Sequence, residues 1–117
     1  MQAQALHDFV NTRRRFEFYG ERNGVKVFLD YGHHPNEIRA TLDAAKRVPH
    51  NRLICVFQCN SYTRARTLFC DHVVCFQDAD MVLVPEIYPG RDKDTGIVHA
   101  RDMVAAINRE SENAVYI

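Results

Sequence analysis

Residues 25–45 read VKVFLDYGHHPNEIRATLDAA, and this stretch decides the fold class of the chain. Apolar residues alternate along 25–29, which is the period of a β-strand. Beyond the junction, Ile38 and Leu42 recur at the spacing of one helix face, and Pro35 suits a first helical turn because its missing N–H has no partner there anyway. The stretch therefore predicts a buried strand that runs directly into a helix.

A β-hairpin is predicted to precede this unit. Residues 16–19 alternate in the same way as residues 25–29, so both runs are expected to be strands. The Asn23-Gly24 pair lies between them and indicates a tight turn, because both residues tolerate positive φ. The strand before the helix is therefore also the second strand of a hairpin.

Three further strands are predicted downstream, with helices between them. RLICVF and MVLV are continuous apolar runs, as expected for buried strands, the first of them covered on both faces. The strands are predicted at 52–57, 81–84 and 114–117, and the helices from 62 to about 77 and around 103–107. Because alternating strands and helices form parallel sheets with right-handed crossovers, the chain is predicted to be an α/β domain with a mainly parallel sheet and flanking helices.

The chain is long enough for one domain with a modest core, at 117 residues. Residues 1–13 are predicted to be a linker or leader from a preceding domain, and residues 14–117 to form the α/β domain. The strand predicted at 114–117 has no closing helix after it. The domain is therefore predicted to be truncated at its C-terminus.

Composition excludes several classes of partner. Fifteen Lys and Arg residues balance fifteen Asp and Glu residues, so the basic excess of a nucleic-acid-binding protein is missing. QAQALHDFVNTRRRF, after Met1, lacks the apolar segment of a secretory signal, and no apolar run approaches the ~20 residues that a membrane span needs. These features predict a cytoplasmic protein with reduced cysteines and with no nucleic-acid or membrane partner.

Polar residues are concentrated where three predicted strands end. In open parallel sheets, ligands bind outside the carboxyl ends of the strands. The segments DYGHHP, QCNSYTR and EIYPGRDKDTG occupy that position, and the helices that start near Pro35 and Tyr62 favour anionic groups there. The candidate site residues in these segments are Tyr31, His33, His34, Tyr62, Arg64, Tyr88 and Arg91.

Several of these residues have a structural alternative. His34 precedes Pro35, so it either caps the helix or faces a ligand, and Tyr62 either packs its ring under the loop or contacts the ligand. His33 is interpreted as a site residue. Arg64 in a first helical turn runs against the helix dipole, which indicates an anionic partner. Asp30 is interpreted as an acceptor for loop N–H groups rather than as a catalytic group.

Two kinds of site are disfavoured by spacing. Cys70 and Cys75 do not share a helix face, and no paired C-x₂-C knuckle accompanies His72, so no metal site is predicted. Cys59 at a strand end is a weak candidate nucleophile because thiolate activation cannot be inferred from sequence. The phosphate-binding patterns G-x-x-x-x-G-K-[ST] and G-x-G-x-x-G are both missing, so the sequence predicts no glycine-rich phosphate-binding loop in this domain.

Taken in order, RRFEFYG, DYGHHPNEIRATLDAA, VFQCNSYTRARTLF and DADMVLVPEIYPGRDKDTGIV resemble the C-terminal domain of the Mur ligases. Within that family they are most similar to the branch that joins L-alanine to UDP-N-acetylmuramate. The resemblance runs from about Arg14 to about Met103. It implies a Rossmann-like sheet and a cytoplasmic three-domain enzyme of peptidoglycan synthesis, in which ATP and Mg²⁺ are bound mainly by a central domain that this chain lacks.

The resemblance also implies roles for individual residues. Tyr31, His33 and His34 match the loop that meets nucleotide and amino-acid substrate, and Arg64 matches the arginine that faces the developing phosphate or the alanine carboxylate. Of these residues, His33 and Arg64 are predicted to be catalytic. For the remaining arginines, the match to the family defines the role less clearly. Arg14 and Arg15 match the entry to the domain, with an interdomain or a ligand role, and Arg91 is a weaker candidate.

One departure from the family pattern leaves two functions open. Cys59-Asn60 stands where the family has Pro-His, and Asn60 cannot carry a proton as histidine can, whereas Ser61 departs less from the family pattern. By their match to this segment, Asn60 and Ser61 are still predicted to face the substrate or the nucleotide. The chain is therefore interpreted as the lid domain of a working ligase, inactive by itself, or as a non-catalytic binding module that has lost activity. A receiver-like signalling domain, indicated only by Asp30 at a strand end, is opposed by the hairpin and the loop from Tyr31 to Pro35.

Overall fold

A computed structural model of the chain describes residues 16–90, 93, 96 and 98–117. The chain divides into two compact units, Met1–Gly32 and His33–Ile117. The predicted boundary between residues 13 and 14 lies outside the described residues. The elements in chain order are β1 (Glu17–Arg22), β2 (Val25–Leu29), α1 (Pro35–Lys46), β3 (Ile54–Val56), α2 (Tyr62–Thr67), α3 (Phe69–Val73), β4 (Met81–Val84), α4 (Ala100–Glu110) and β5 (Ala114–Tyr116).

The first unit contains the predicted hairpin. Strands β1 and β2 pair antiparallel, with a register shift between Phe18 and Gly20. The turn between them has φ values of 54° at Asn23 and 81° at Gly24, which is the conformation that this pair tolerates. The hairpin prediction is confirmed.

Asp30 closes the loop at the end of the hairpin. One oxygen of its carboxylate accepts the N–H of Phe16 at 2.7 Å, and the other accepts the N–H of Gly32 at 2.5 Å. The interpretation of Asp30 as an acceptor for loop N–H groups is therefore confirmed.

Strand β2 differs from its prediction in burial and in pairing. Val25 and Val27 are 62% and 43% exposed, although the alternation predicted a buried strand. Among the described residues, β2 pairs with β1 and is not a member of the parallel sheet. The reason is that alternation specifies a strand but not its neighbours, and a two-stranded hairpin covers neither of its own faces.

The second unit contains a three-stranded parallel sheet in the order β3-β4-β5. The central strand is buried as predicted, since Val82 and Val84 are 0% and 1% exposed. Strand β3 is only three residues long, and Ile54 and Val56 on it are 43% and 64% exposed. The prediction that this strand is covered on both faces is wrong for the described chain. Side chains alternate between the faces of a strand, and only the face that carries Cys55 packs against the core.

The helix predicted from 62 to about 77 is divided in two. Leu68, with φ −105° and ψ 14°, ends α2 and begins α3. The apolar spacing continues on both sides of Leu68, so periodicity alone could not reveal the break. Backbone hydrogen bonds continue through the break, since the Leu68 N–H donates to the Arg64 carbonyl at 3.0 Å and the His72 N–H donates to the Leu68 carbonyl at 2.8 Å.

One hydrophobic core holds the second unit together and fixes the carboxyl ends of its strands. Phe76, Met103 and Ile107 are fully buried in it. Helix α1 contributes Ile38 and Leu42, as the helical spacing predicted. Among the described residues, no helix is long and apolar enough to cross a membrane.

Candidate active site at the carboxyl ends of the parallel strands

The segments that follow β3 and β4 are joined to each other by backbone hydrogen bonds. The Tyr88 N–H donates to the Cys59 carbonyl at 2.9 Å, and the Ser61 N–H donates to the Tyr88 carbonyl at 2.6 Å. These bonds form a parallel bridge between Asn60 and Tyr88. Two of the three segments predicted to form the site are therefore brought together at the same sheet edge.

Ser61 has an unusual backbone conformation, with φ 85° and ψ 144°. Such values cost a non-glycine residue on the order of 1–3 kcal/mol and persist only where the surroundings impose them. Two contacts impose them here: the bond to Tyr88 and a side-chain cap in which the Ser61 Oγ accepts the Arg64 N–H at 3.1 Å. The cap fixes Arg64 in the first turn of α2.

Asn60, which stands where the Mur pattern has histidine, lies beside a glycine. Gly90 has φ 60°, and a Cβ built on it would be 3.5 Å from the Asn60 Oδ1. The Asn60 side chain is exposed, so its amide faces the turn at Gly90 and the solvent.

Cys59 is a structural thiol. It is only 2% exposed, and its Sγ lies 3.9 Å from the Ser61 carbonyl, to which it donates. Burial raises the pKa of Cys59 to about 11, although the nearby Arg64 guanidinium acts to lower it. The thiol therefore stays protonated at neutral pH, which argues against a nucleophilic role.

His34 caps α1, which is the structural alternative that its position before Pro35 left open. Its Nδ1 accepts the Asn36 N–H at 3.2 Å, while the His34 N–H donates to the Glu37 carboxylate at 3.1 Å. An Nδ1 that accepts cannot carry a proton, so a neutral ring carries its proton on Nε2. The side chain is exposed, so capping leaves that Nε2 side of the ring at the surface.

His33 presents an exposed side chain, and its backbone is held on both sides. Its N–H lies 3.3 Å from the same Glu37 carboxylate oxygen, and its carbonyl accepts from the His72 Nε2 at 2.8 Å. His72 belongs to α3 and is fully buried. The loop before α1 is therefore attached to α1 by Glu37 and to α3 by His72.

The family model described as "Mur ligase, glutamate ligase domain" matches residues 14–117. The chain belongs to the Mur ligase family. The predicted resemblance is confirmed.

Individual relatives of this Mur ligase domain share one name. UDP-N-acetylmuramate–L-alanine ligase of Clostridium botulinum strain Hall is 52% identical over 95 residues, which is 81% of this chain and 21% of that enzyme. The Clostridium acetobutylicum ligase is 48% identical over 104 residues, 89% of this chain and 23% of the enzyme. The chain thus spans about a fifth of the length of these relatives.

A solved structure confirms the predicted α/β fold class. The crystal structure of UDP-N-acetylmuramate-alanine ligase from Thermotoga maritima matches with a TM-score of 0.65 and 27% sequence identity. The match covers 89% of this chain and 21% of that one.

The other predicted site residues of the Mur ligase domain are placed as follows. Tyr31 is 63% exposed and belongs to the first unit, whereas the other described candidates belong to the second. Tyr62 is half-buried and packs against the core, which favours its structural alternative. Tyr88 is 56% exposed beside Asn60. Arg14, Arg15 and Arg91 lie outside the described residues.

Three polar residues at the ends of adjacent strands were missed. The Gln58 side chain donates to the Glu86 carbonyl at 2.9 Å, and the Tyr116 hydroxyl donates to the Glu86 carboxylate at 2.8 Å. This hydroxyl bond holds the pKa of Glu86 below its usual value, so the carboxylate is ionised at neutral pH. Gln58 and Glu86 lie in two of the segments that the rule for parallel sheets selected, although neither was named as a candidate, whereas Tyr116 lies inside β5 and is not covered by that rule.

The remaining missed residue is His72, whose sequence context pointed elsewhere. Its spacing to Cys70 and Cys75 suggested only a metal site, which the sequence disfavoured. In the structure Cys70 is exposed while Cys75 is buried, and the described residues contain no group of three or more His, Cys, Asp or Glu that could hold a metal ion. The contact with His33 spans 39 residues, and no local pattern indicates it.

Proposed function

We propose that this chain supplies the C-terminal lid domain of an ATP-dependent ligase that joins L-alanine to UDP-N-acetylmuramate in peptidoglycan synthesis. The observation that carries the proposal is 52% identity over 81% of the chain to a ligase of that name. Because the chain spans about a fifth of that enzyme, the domain alone is expected to be inactive. The enzyme is expected to work in the cytoplasm, where ATP is available.

The proposed reaction has two steps. A muramoyl carboxylate oxygen attacks the γ-phosphorus of ATP, giving an acyl phosphate and ADP. The amine of L-alanine then attacks the acyl carbon, the amide forms, and phosphate leaves with the carboxylate oxygen. Acyl phosphates hydrolyse readily, so a domain that closes over the site and excludes water suits this chemistry.

By its resemblance to the Mur ligases, the complete enzyme is proposed to bind ATP and Mg²⁺ mainly through a central domain beyond this chain. The described residues contain no group of three or more His, Cys, Asp or Glu that could hold a metal ion. What this domain supplies is positive charge and hydrogen-bond donors. Arg64 is the main candidate, because a guanidinium binds a phosphate or a carboxylate through two parallel hydrogen bonds.

The constrained backbone conformation of Ser61 supports the role proposed for Arg64. Helix α2 is only six residues long, so Arg64 lies in its last turn as well as in its first. The Arg64 N–H donates to the Ser61 Oγ at 3.1 Å, and this bond fixes the point at which the Arg64 side chain leaves the backbone. His33, exposed on a loop held by Glu37 and His72, is proposed to face the substrates from the neighbouring loop.

A non-catalytic binding module remains the second candidate function, and Asn60 is the observation that favours it. If the family histidine stabilises charge in the transition state, an asparagine at this position raises the activation free energy by about 3–4 kcal/mol, which is the scale of one lost oxyanion donor. Asn60 is exposed beside Gly90, so a histidine has room there without core rearrangement.

Phosphate release by the complete ligase that carries this domain tests both functions. The working ligase is expected to release phosphate only when ATP, UDP-N-acetylmuramate and L-alanine are all present. A decayed enzyme would show little release, and Asn60→His would restore it. Asn51→His makes the same change at another exposed loop position and serves as the control. Lack of release by the wild type and by Asn60→His would contradict the ligase proposal.

A further inference from the structure

His72 is a fully buried histidine whose ring contacts two separate segments. On one side its Nε2 lies 2.8 Å from the His33 carbonyl. On another its ring packs against the Phe57 ring, with 5.2 Å between centroids. A carbonyl oxygen can only accept, so the proton of the ring is on Nε2.

Phe57 connects this contact to the bridged segment after β3. It follows the last residue of β3 directly, and its N–H donates to the Leu83 carbonyl on the neighbouring strand at 2.9 Å. Its ring is also packed on Phe76, with 5.0 Å between centroids. The residues that follow, 58–61, form the bridge to Tyr88. One imidazole therefore contacts both the His33 loop and the strand end that leads to Asn60 and Ser61.

We propose that His72 is a positioning residue, whose Nε2–H holds the His33–His34 loop at a fixed distance from the Phe57–Ser61 segment so that both loops meet the substrates together. This role rests on the proposed ligase function. His72 contacts no substrate itself. Without its donor, the His33 carbonyl loses its bond to α3, and the loop is held by Glu37 on the α1 side.

The surroundings of His72 keep its ring neutral. Burial is the main reason that the pKa of His72 is lowered, and the rings of His33 and His34 act in the same direction. The His33 carbonyl and the Asp71 carboxylate act in the opposite direction. Nδ1 has no hydrogen-bond partner among the described residues, so a protonated ring would bury an N–H without an acceptor.

Kinetics of three variants in the complete ligase test this role. His72→Phe keeps an aromatic ring but removes the donor, His72→Gln keeps an N–H donor, and Val73→Ala alters a buried neighbour on the same helix that is 9% exposed. We expect His72→Phe to raise the KM for L-alanine at least tenfold, with a smaller change in kcat. We expect His72→Gln to recover most of that loss and Val73→Ala to change KM less than twofold.

Two readouts separate positioning from stability. Thermal unfolding compares the stabilities of His72→Phe and Val73→Ala. If the two variants are destabilised to a similar extent, a rise in KM in His72→Phe alone supports positioning. Nitrogen-15 NMR of histidine-labelled ligase is expected to show His72 as the Nε2–H tautomer at neutral pH. An Nδ1–H tautomer, or equal kinetics in His72→Phe and Val73→Ala, would overturn the inference.

Failure of the underlying function has a different signature. If the wild-type ligase releases no alanine-dependent phosphate, the proposed function fails, and this role fails with it. If the wild type is active and His72→Phe is equally active, only the role of His72 fails.

Discussion

The Ser61 N–H donates to the Tyr88 carbonyl across 2.6 Å, and this bond joins the segments that follow two adjacent parallel strands. It also helps to hold Ser61 at φ 85°, a value that L-residues rarely adopt. The segment thereby leads into α2 with Arg64 in its first turn. Strained backbone is often found at functional sites, where surrounding structure maintains the strain, and here it lies three residues before the arginine that we propose to face the substrates.

Two substitutions at Ser61 separate the cap from the strain. Ser61→Ala loses the bond to the Arg64 N–H and keeps the strained φ, so it is expected to lower the free energy of unfolding by about 1 kcal/mol. Ser61→Gly also loses the cap, but glycine adopts positive φ without strain and is expected to be the more stable of the two. Urea denaturation measures both. An alanine variant as stable as the glycine variant would contradict the strain at Ser61.

The function of Arg64 is expected to depend on the planar geometry of its guanidinium group and not only on its positive charge. Arg64→Lys keeps the charge but cannot form two parallel bonds, and it is expected to lower kcat/KM by roughly 10²–10³, as the loss of one transition-state donor does. Arg66→Lys, at an exposed position on the same helix, is the matched control and is expected to change kcat/KM less than threefold. Equal effects at the two positions would show that Arg64 has no specific contact.

Acid is expected to destabilise the domain partly through His72. Its pKa is lowered in the folded state from the ordinary 6.5, so the unfolded chain binds the proton more readily. The resulting stability is complete above the unfolded pKa and is lost as the pH falls through it towards the folded pKa. Urea midpoints at several pH values check this: the loss on acidification is expected to be smaller in His72→Phe. Parallel curves for the two proteins would contradict it.

The thiols are expected to react in order of exposure. Burial raises the pKa of Cys59 to about 11 and that of Cys75 to about 12, whereas Cys70 is exposed. At pH 8, iodoacetamide is therefore expected to label Cys70 at least tenfold faster than Cys59 or Cys75, because the thiolate is the reacting form. Peptide mass spectrometry with time gives the rates, and Cys70→Ser removes the fast phase. Rapid labelling of Cys59 would reopen its nucleophilic role.

Local signals were sufficient for the parts of the fold that depend on neighbours in sequence. Asn23-Gly24 predicted the hairpin turn, and MVLV predicted β4 with its bounds at Met81 and Val84. The exposure of Ile54 and Val56 on β3 could not be predicted, because an apolar run does not specify which faces of the strand are covered by other elements. The break between α2 and α3 at Leu68 could not be predicted either, since the apolar spacing is unchanged across it.

In the candidate site too, local sequence signals predicted some features, and contacts between distant residues could not be predicted. The rule that ligands bind at the carboxyl ends of parallel strands correctly grouped Asn60, Ser61 and Tyr88. His34 had two open alternatives, and the bond from the Asn36 N–H to its Nδ1 shows that it caps α1. Its proposed contact with a ligand stays a prediction. His72 could not be found, because a contact across 39 residues depends on how α3 packs against the loop before α1.

Oxygen-18 transfer tests the central claim most directly. UDP-N-acetylmuramate labelled in its carboxylate is incubated with ATP, L-alanine and the complete ligase that carries this domain, and mass spectrometry follows the phosphate and the amide. Ligation through an acyl phosphate predicts one labelled oxygen in each phosphate released, together with an equal amount of UDP-N-acetylmuramoyl-L-alanine. Unlabelled phosphate, or labelled phosphate without the amide, would contradict the account.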